Sequence, residues 1–334
     1  MMVPKTVASF VPLVALAAAQ GQNPVINPEL SRQQIWEGLL PHMPAQGAVV
    51  YFWEPGWIYE SCKSEAEMRG LNPNDIEVFE AQYGDCGDSW VMCRHRAVTS
   101  PTRDEMIDIF GRLPVNTRQY IRHVNVFPDL GNGAAGLFYD YDIMFGNGYM
   151  DLYVLIHEVT HALDYGARPD VGSPFSETSA WQNAYFSDSA SPTPYGQTSW
   201  VEGYAEIGPL GFYDKHVPGG LGNIQPNKHQ IQNQLNTYEG YLNWVLDFGG
   251  TCGSRLPNTE PVPMSNSFRI NMVNKPDVSL KSNVTVMDLP GTPRISTTKK
   301  HLRNSKIDQG DRFQTDGLLN DIITGRTRGN IDLG

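Results

Sequence analysis

The residues of this sequence best suited to joint chemistry lie in "LIHEVTHALDYG" (155–166), which contains His157, Glu158 and His161. Residues four apart share one face of a helix, so the two histidines could bind one cation. Glu158 would lie on the adjoining edge, within reach of a water molecule on that metal ion. Zinc lowers the pKa of such a water to about 7, and a carboxylate can then take its proton. The pattern predicts a hydrolytic zinc site; the alternative is a helix that carries two histidines and no metal.

A catalytic zinc ion needs a third protein ligand and an open fourth position. The metzincin pattern places a glycine and a histidine after the second histidine, but Asp164 and Ala167 occupy those positions. The aspzincin pattern GTxDxxYG does not appear downstream either. A later segment, "YGQTSWVEGYAE" (195–206), offers Glu202 and Glu206 on one helical face. Its apolar neighbours favour a packed helix in which one acid binds a cation and the other orients a ligand; the alternative is a solvated acidic face.

The two segments together resemble the anthrax lethal factor family of zinc metallopeptidases, which includes the Pro-Pro endopeptidases. In that family HExxH is followed, some tens of residues later, by a tyrosine, by a glutamate seven positions on, and by FAE-like residues. Here Tyr195, Glu202 and "GYAE" stand in that arrangement. The resemblance implies that His157, His161 and Glu202 bind Zn²⁺ and that Glu158 is the general base.

The resemblance also implies supporting roles for other side chains. Tyr195 would donate its hydroxyl to the oxyanion of the tetrahedral intermediate. Glu206 would hold a ligand histidine in its tautomer. Asp164 is a second candidate for such support, with a solvent-facing acid at the helix end as the equal alternative. Gly203 departs from the family, which tends to have a bulky aromatic there, and a glycine weakens a helix by about 1 kcal/mol.

The metallopeptidase resemblance covers roughly residues 120–250. In that family a strand just before the zinc helix borders the cleft and pairs with extended substrate, and "GLFYDYDIMFG" (136–146) is placed to do so. More loosely, the whole chain is similar to secreted fungal proteins of the conidiation-specific type. That second resemblance implies a filamentous fungus and a developmental or host-facing setting, but no reaction.

Local patterns predict the elements that position these residues. The apolar segments "AVVYF" (48–52) and "HVNVF" (123–127) predict strands, and 136–146 alternates as a strand does. Thr102 and Glu105 form a capping box that begins a helix. Further helices are predicted from Asp151 to Gly166, at 176–186 with Ser176 as its cap, at 199–207, and at 231–246. These elements predict an α+β fold, a zincin-like metallopeptidase domain with a small mixed sheet, an active-site helix and following helices.

The N-terminus is typical of an export signal. Lys5 precedes the apolar stretch 7–18, and Ala17 and Ala19 fit cleavage just before Gln20, so residues 1–19 are predicted to be a signal peptide and the protein to be secreted. The alternative is a short membrane anchor. In an oxidising compartment an even number of cysteines suggests disulfides, and three pairings are open for Cys62, Cys86, Cys93 and Cys252. A bond from Cys252 back to the 62–93 region would tie the ends of one domain together.

The sequence divides near residue 255. Residues 20–255 are predicted to form one disulfide-containing domain, and 256–334 are rich in Ser, Thr, Asn, Asp and Pro, with two aromatic residues, Phe268 and Phe313. Such a tail cannot bury much apolar surface, so we predict that it is extended or disordered. It contains a glycosylation sequon at Asn283. The net charge of −11 disfavours nucleic acid and anionic membranes as partners.

Two functions follow from these patterns. The first is a secreted zinc-dependent endopeptidase that hydrolyses peptide or protein substrates through a zinc-bound water, with Glu158 as the general base. The second is a catalytically silent, secreted zinc-binding effector, or a developmental or cell-wall-associated protein, on a metallopeptidase scaffold. Glu158 and Tyr195 favour the enzyme, since a scaffold that has lost its reaction does not need a base or an oxyanion donor. The sequence does not indicate an oligomeric state.

Overall fold

The computed structural model of the protein describes residues 23–253 and 255–265, together with the backbone of 284–287. Over these residues the chain is a mixed α+β fold, with helices packed against a mixed sheet. The predicted signal peptide at 1–19, the sequon at Asn283 and most of the predicted tail lie outside the described residues.

The described strands form one large sheet and one small one. They are β1 (Ala48–Phe52), β2 (Trp57–Tyr59), β3 (Ile76–Tyr83), β4 (Trp90–His95), β5 (His123–Phe127), β6 (Gly136–Tyr139), β7 (Asp142–Gly146), β8 (Pro261–Pro263) and β9 (Val284–Met287). The large sheet has the order β6-β7-β5-β4-β3-β1-β9, and β2 pairs with β8. Strands β4, β5 and β7 run parallel, and the remaining neighbours in both sheets are antiparallel.

The described α-helices alternate irregularly with the strands along the chain, and α1 precedes β1. They are α1 (Arg32–Leu39), α2 (Glu60–Met68), α3 (Arg103–Gly111), α4 (Val115–Arg118), α5 (Leu152–Gly166), α6 (Ser179–Ser187), α7 (Trp200–His216) and α8 (Gln232–Leu242). Short 3-10 turns connect several of them, including Phe175–Glu177, Tyr195–Gln197 and Asn243–Leu246.

The strands of the large sheet bury both faces, because successive side chains of a strand point to opposite sides. In β4, Trp90 and Met92 join the larger core, which also contains apolar residues of α3, α5, α7 and α8. Val91 and Cys93 join a smaller core with residues of β2 and α2. The larger core therefore fixes the two helices that carry the predicted zinc ligands against the sheet.

Several predictions of single elements are confirmed. The strands at 48–52 and 123–127 form as β1 and β5. The capping box begins α3, where Glu105 N donates to Thr102 Oγ1 (3.3 Å) and Thr102 N donates to Glu105 Oε2 (2.7 Å). Asp151 begins α5 and Gly166 is its last residue. The helix predicted at 199–207 begins as expected but continues to His216.

Three predictions of elements are wrong in detail. The segment 136–146 is a hairpin, β6 and β7, rather than one strand, because Asp140 (φ 46°) and Tyr141 (φ 63°) turn the chain back. Ser176 does not cap a helix; it lies in a 3-10 turn, and α6 begins at Ser179. The helix predicted at 231–246 is interrupted at Asn243 (φ 46°), so α8 ends at Leu242 and a 3-10 turn follows.

All four cysteines are paired, Cys62 with Cys93 and Cys86 with Cys252. The first bond joins α2 to β4. The second joins the loop after β3 to the segment after α8, across a sequence separation of 166. The predicted link from Cys252 back to the 62–93 region is thus confirmed, and the pairing is settled among the three that the sequence left open.

Two described strands lie beyond residue 255, where the sequence analysis ended the domain. Strand β8 pairs with β2 in the register Ile58 to Val262, and β9 pairs with β1 at one end of the large sheet. Part of the predicted tail therefore lies against the domain as extended chain. Among the described residues, no helix is both long and apolar enough to cross a bilayer.

Candidate metal centre

The two histidines lie on helix α5, and the start of this helix is held by two interactions of Asp151. Asp151 caps the helix by accepting a hydrogen bond from Val154 N (3.0 Å), and its other oxygen forms an ion pair with Arg32 (2.5 Å). The helix is buried along nearly its whole length, including His157, Glu158 and His161. Polar groups so thoroughly buried need partners within the protein or a bound ion.

Helix α7 brings the two glutamates to α5. Ser199 caps it by accepting from Glu202 N (3.1 Å), which places Glu202 in its first turn. The two helices pack closely, since a methyl group added to Gly208 would overlap Thr160 of α5. This close approach has a simple basis in sequence, a glycine on the face of α7 that meets α5.

Three side chains of these helices converge on one point. Ligand atoms of His157, His161 and Glu202 all lie within 4.8 Å of one another, and all three residues are buried. His157 Nε2 is 3.3 Å and His161 Nε2 is 3.5 Å from the same oxygen, Glu202 Oε2. Two imidazoles and one carboxylate are a ligand set that catalytic zinc sites use. The residues present therefore fit a zinc ion.

Glu206 stands behind His157. The distance from His157 Nδ1 to Glu206 Oε1 is 2.8 Å, and Tyr153 donates its hydroxyl to Glu206 Oε2 (2.8 Å). Thr193 also contacts the Glu206 carboxylate through its side chain. A carboxylate on one ring nitrogen fixes the proton there and leaves the other nitrogen with its lone pair toward a metal. Glu206 occupies the position that this role requires.

The electrostatics of the centre favour a bound cation. Glu158, Glu202 and Glu206 are all buried. Burial acts to raise the pKa of Glu202, but the neighbouring imidazoles of His161 and His157 outweigh it and hold that pKa well below its usual range. Burial likewise acts to lower the pKa of His157, and Glu202 and Glu206 reverse the effect. A divalent cation between the ligand atoms would balance these buried carboxylates directly.

Glu158 lies against strand β6. Burial raises its pKa to about 7, although the nearby histidines oppose that rise. A carboxylate with such a pKa is suited to accept a proton near neutral pH. The backbone of Gly136 faces this carboxylate so closely that any side chain on Gly136 would overlap Glu158 Oε1. Within the described residues β6 is the end strand of the large sheet, so the base lies beside a sheet edge.

Tyr195 lies in the 3-10 turn that precedes α7. Its ring centroid is 6.0 Å from that of His157, with 35° between the ring planes. The turn packs directly on α7, since a Cβ on Gly203 would lie 2.9 Å from Gly196 O. Gly203, which departs from the metallopeptidase pattern, therefore leaves room for the turn that carries Tyr195.

Asp164 is buried, so the alternative of a solvent-facing acid does not hold. Its two oxygens accept hydrogen bonds from Ser176, one from the backbone N–H (2.7 Å) and one from the hydroxyl (2.6 Å). Burial raises its pKa to about 7, against the effect of these hydrogen bonds. Asp164 therefore anchors the 3-10 turn Phe175–Glu177 to the end of α5.

Sequence reasoning missed four residues that shape the centre, Tyr153, Thr193, Gly136 and Phe138. Tyr153 could have been found, because it precedes His157 by four positions and so shares its helical face. Phe138 of β6 stacks on His161 with a centroid distance of 6.1 Å. The contacts of Phe138, Gly136 and Thr193 depend on how separate segments pack, and no local pattern signals them.

Comparison with known proteins matches the chain to a family of conidiation-specific proteins. The family model described as "Conidiation-specific protein Con-13" matches residues 37–254, which is more than half of the chain. The chain is 29% identical over 206 residues to "Conidiation-specific protein 13" of Neurospora crassa, an alignment that covers 60% of this chain. The chain spans about 58% of the length of that curated relative. The region that the family model matches, 37–254, contains all the residues of the candidate centre.

Proposed function

We propose that this chain, which belongs to the Con-13 family of conidiation-specific proteins, is a secreted zinc-dependent endopeptidase with a zincin-like fold. The observation that carries the proposal is the convergence of His157, His161 and Glu202, with ligand atoms within 4.8 Å of one another. The buried Glu158 beside that ligand set supports a hydrolytic centre over a purely structural one. Secretion is supported by the two disulfides, which persist in oxidising compartments.

When bound by these three ligands, zinc would supply Lewis-acid polarisation and lower the pKa of a coordinated water. Glu158 takes the proton from the attacking water, and its raised pKa matches that task. The same carboxyl group then carries the proton toward the departing amine. Burial of Glu158 beside Gly136 limits the positions that its carboxylate can take.

Two further side chains assist the reaction. Tyr195 donates its hydroxyl to the substrate oxygen as negative charge develops on it, which is the role of an oxyanion donor. Glu206 holds the proton of His157 on Nδ1, at 2.8 Å, so that Nε2 points its lone pair toward the metal position. Tyr153 restrains Glu206 through its own hydrogen bond of 2.8 Å.

The substrate is an extended peptide that binds along β6. This strand ends the large sheet within the described residues, and its residue Gly136 lies against the base. An extended chain can add to such an edge through backbone hydrogen bonds, which would place its peptide bonds beside Glu158. The buried ring of Phe138, on the same strand, stacks on His161 and so packs this strand against the helix of the ligands.

A catalytically silent zinc-binding protein is the second candidate. It is supported by the way the three ligands bridge α5 and α7, since an ion there would also join the two helices. The presence of a buried base and a tyrosine beside His157 favours the enzyme.

A peptide library tests the proposed function. Purified mature protein is incubated with the library, and cleavage is analysed by mass spectrometry before chelation, after chelation and after zinc is restored. We expect cuts that disappear on chelation and return with zinc. Zinc bound at one ion per chain without any cut, across a diverse library, would reject the enzyme in favour of the binding protein.

A further inference from the structure

The N-terminal segment 23–26 lies along the loop 188–197, which ends in the turn that carries Tyr195. Ser191 N donates to Pro24 O (2.8 Å) and Ile26 N donates to Ser191 O (2.9 Å). These bonds form a short parallel bridge that pairs Val25 with Ser191. The segment is far from the loop in sequence, so only the fold brings the two together.

Asn23 joins both ends of that loop. Its side-chain amide donates to Tyr185 O (2.8 Å), in the last turn of α6, and to Asp188 O (3.0 Å), at the start of the loop. Its backbone carbonyl accepts from Gln197 Nε2 (2.7 Å), two residues after Tyr195. Its backbone N–H donates to the Tyr185 hydroxyl (3.0 Å). Asn23 therefore links the start of the loop, at Asp188, to its end at Gln197.

The start of the loop is fixed independently by α8. The Asp188 carboxylate accepts from the backbone N–H groups of Asn233 (2.9 Å) and Gln234 (2.8 Å), at the first turn of that helix. The middle of the loop is tied to the centre, because Thr193 accepts from Gly196 N (3.0 Å) and also contacts Glu206. The far end is held by the bond from Gln197 to Asn23 (2.7 Å), beside the close contact of Gly196 with α7.

We propose that residues 23–26 form a strap that positions Tyr195, and that Asn23 and Gln197 are positioning residues of the reaction. This inference rests on the proposed function. An oxyanion donor contributes only when its hydroxyl is held close to where charge develops, and a displacement of about 1 Å can lower a rate by roughly 10²-fold. Gln197 follows Tyr195 by two residues in the same 3-10 turn, so its bond to Asn23 holds that turn directly.

The test uses Asn23→Ala and Gln197→Ala, each with and without Tyr195→Phe. The matched control is Asn227→Ala, which removes a bond of 2.6 Å from Asn227 Nδ2 to Asn27 O in the same N-terminal region and leaves every bond of Asn23 intact. We expect each strap variant to lower kcat by roughly ten- to a hundredfold, with KM and zinc content unchanged. In the Tyr195→Phe background the same substitutions should lower kcat no further, because residues that act through one group are not additive. The control should retain wild-type kcat.

Hydrogen–deuterium exchange gives a readout that does not depend on activity. The amides of 188–197 should exchange faster in Asn23→Ala than in the wild type or in Asn227→Ala. Equal losses of kcat with and without the Tyr195 hydroxyl, or unchanged exchange in the loop, would overturn the strap. If the wild type binds zinc and cleaves nothing, the proposed function fails and the catalytic role of the strap fails with it, while faster exchange would still show that Asn23 holds the loop.

Discussion

The backbone of Gly136, on the strand that ends the large sheet in the described part of the chain, faces the carboxylate of Glu158 with no room for a side chain between them. A base held against a sheet edge is close to any peptide that pairs with that edge. The contact therefore connects the helix that would carry the proposed chemistry with the strand that would carry the substrate.

Substituting Gly136 tests this contact. A methyl group at Gly136 would overlap Glu158 Oε1, so Gly136→Ala should displace the base and lower kcat/KM by roughly 10²-fold with zinc retained. Gly240→Ala is the matched control, because a Cβ on Gly240 has no atom within 4 Å. Steady-state kinetics and zinc analysis give the comparison, and full activity in Gly136→Ala would contradict the assigned position of Glu158.

Removal of one ligand should abolish tight zinc binding. Glu202→Gln keeps the shape of the side chain but removes the charge that both histidines face at 3.3 and 3.5 Å. We expect the variant to emerge from purification without zinc, and its Tm to become insensitive to added zinc. A ligand that binds only the folded state raises stability by about 2.7 kcal/mol at a hundredfold excess over its Kd, so the wild type should show a clear increase in Tm. Zinc-dependent stabilisation of Glu202→Gln equal to the wild type would exclude Glu202 as a ligand.

The contact between His157 and Glu206 should contribute to metal affinity without being essential for it. Glu206→Gln should weaken zinc binding by roughly 10- to 100-fold, because the carboxylate orients the imidazole and increases its basicity. Tyr153→Phe, which removes only the hydrogen bond to Glu206, should have a smaller effect in the same direction. Competition with a zinc-binding dye measures both. An unchanged affinity in Glu206→Gln would show that Glu206 does not support the ligand.

The disulfide between Cys86 and Cys252 should stabilise the domain. Its sequence separation is 166, whereas that of Cys62–Cys93 is 31, and longer loops lose more chain entropy when they are closed in the unfolded state. Replacing Cys86 and Cys252 together by alanine should lower the free energy of unfolding by about 2–5 kcal/mol. Denaturant unfolding checks this value, and the Cys62/Cys93 double variant provides the comparison. An unfolding midpoint that does not move would contradict the prediction.

The sequence predicts the helical half of the centre well, because local signals specify it. The caps at Asp151 and Ser199 fix where α5 and α7 begin, and a spacing of four residues fixes which side chains share a face. Given the two helices, the convergence of His157 and His161 on Glu202 requires only that those faces meet.

The remainder of the centre depends on tertiary packing. Asp140 and Tyr141 have positive φ, but neither is a glycine, so the sequence has no glycine to signal a turn there. The alternation of apolar and polar residues therefore predicts one strand instead of a hairpin. The Ser176 hydroxyl could cap a helix, but it instead donates a hydrogen bond to Asp164. The apolar repeat that predicts a longer α8 persists through Leu246, since a 3-10 turn can bury the same residues.

The most direct measurement compares the wild type with Glu158→Gln on a diverse peptide library, with zinc determined in both proteins. The amide replaces the buried base without touching the ligand set of His157, His161 and Glu202. The account predicts equal zinc contents and cleavage by the wild type that Glu158→Gln lowers by on the order of 10² to 10⁴. Equal cleavage by the two proteins, or cleavage by neither with zinc present in both, would contradict it.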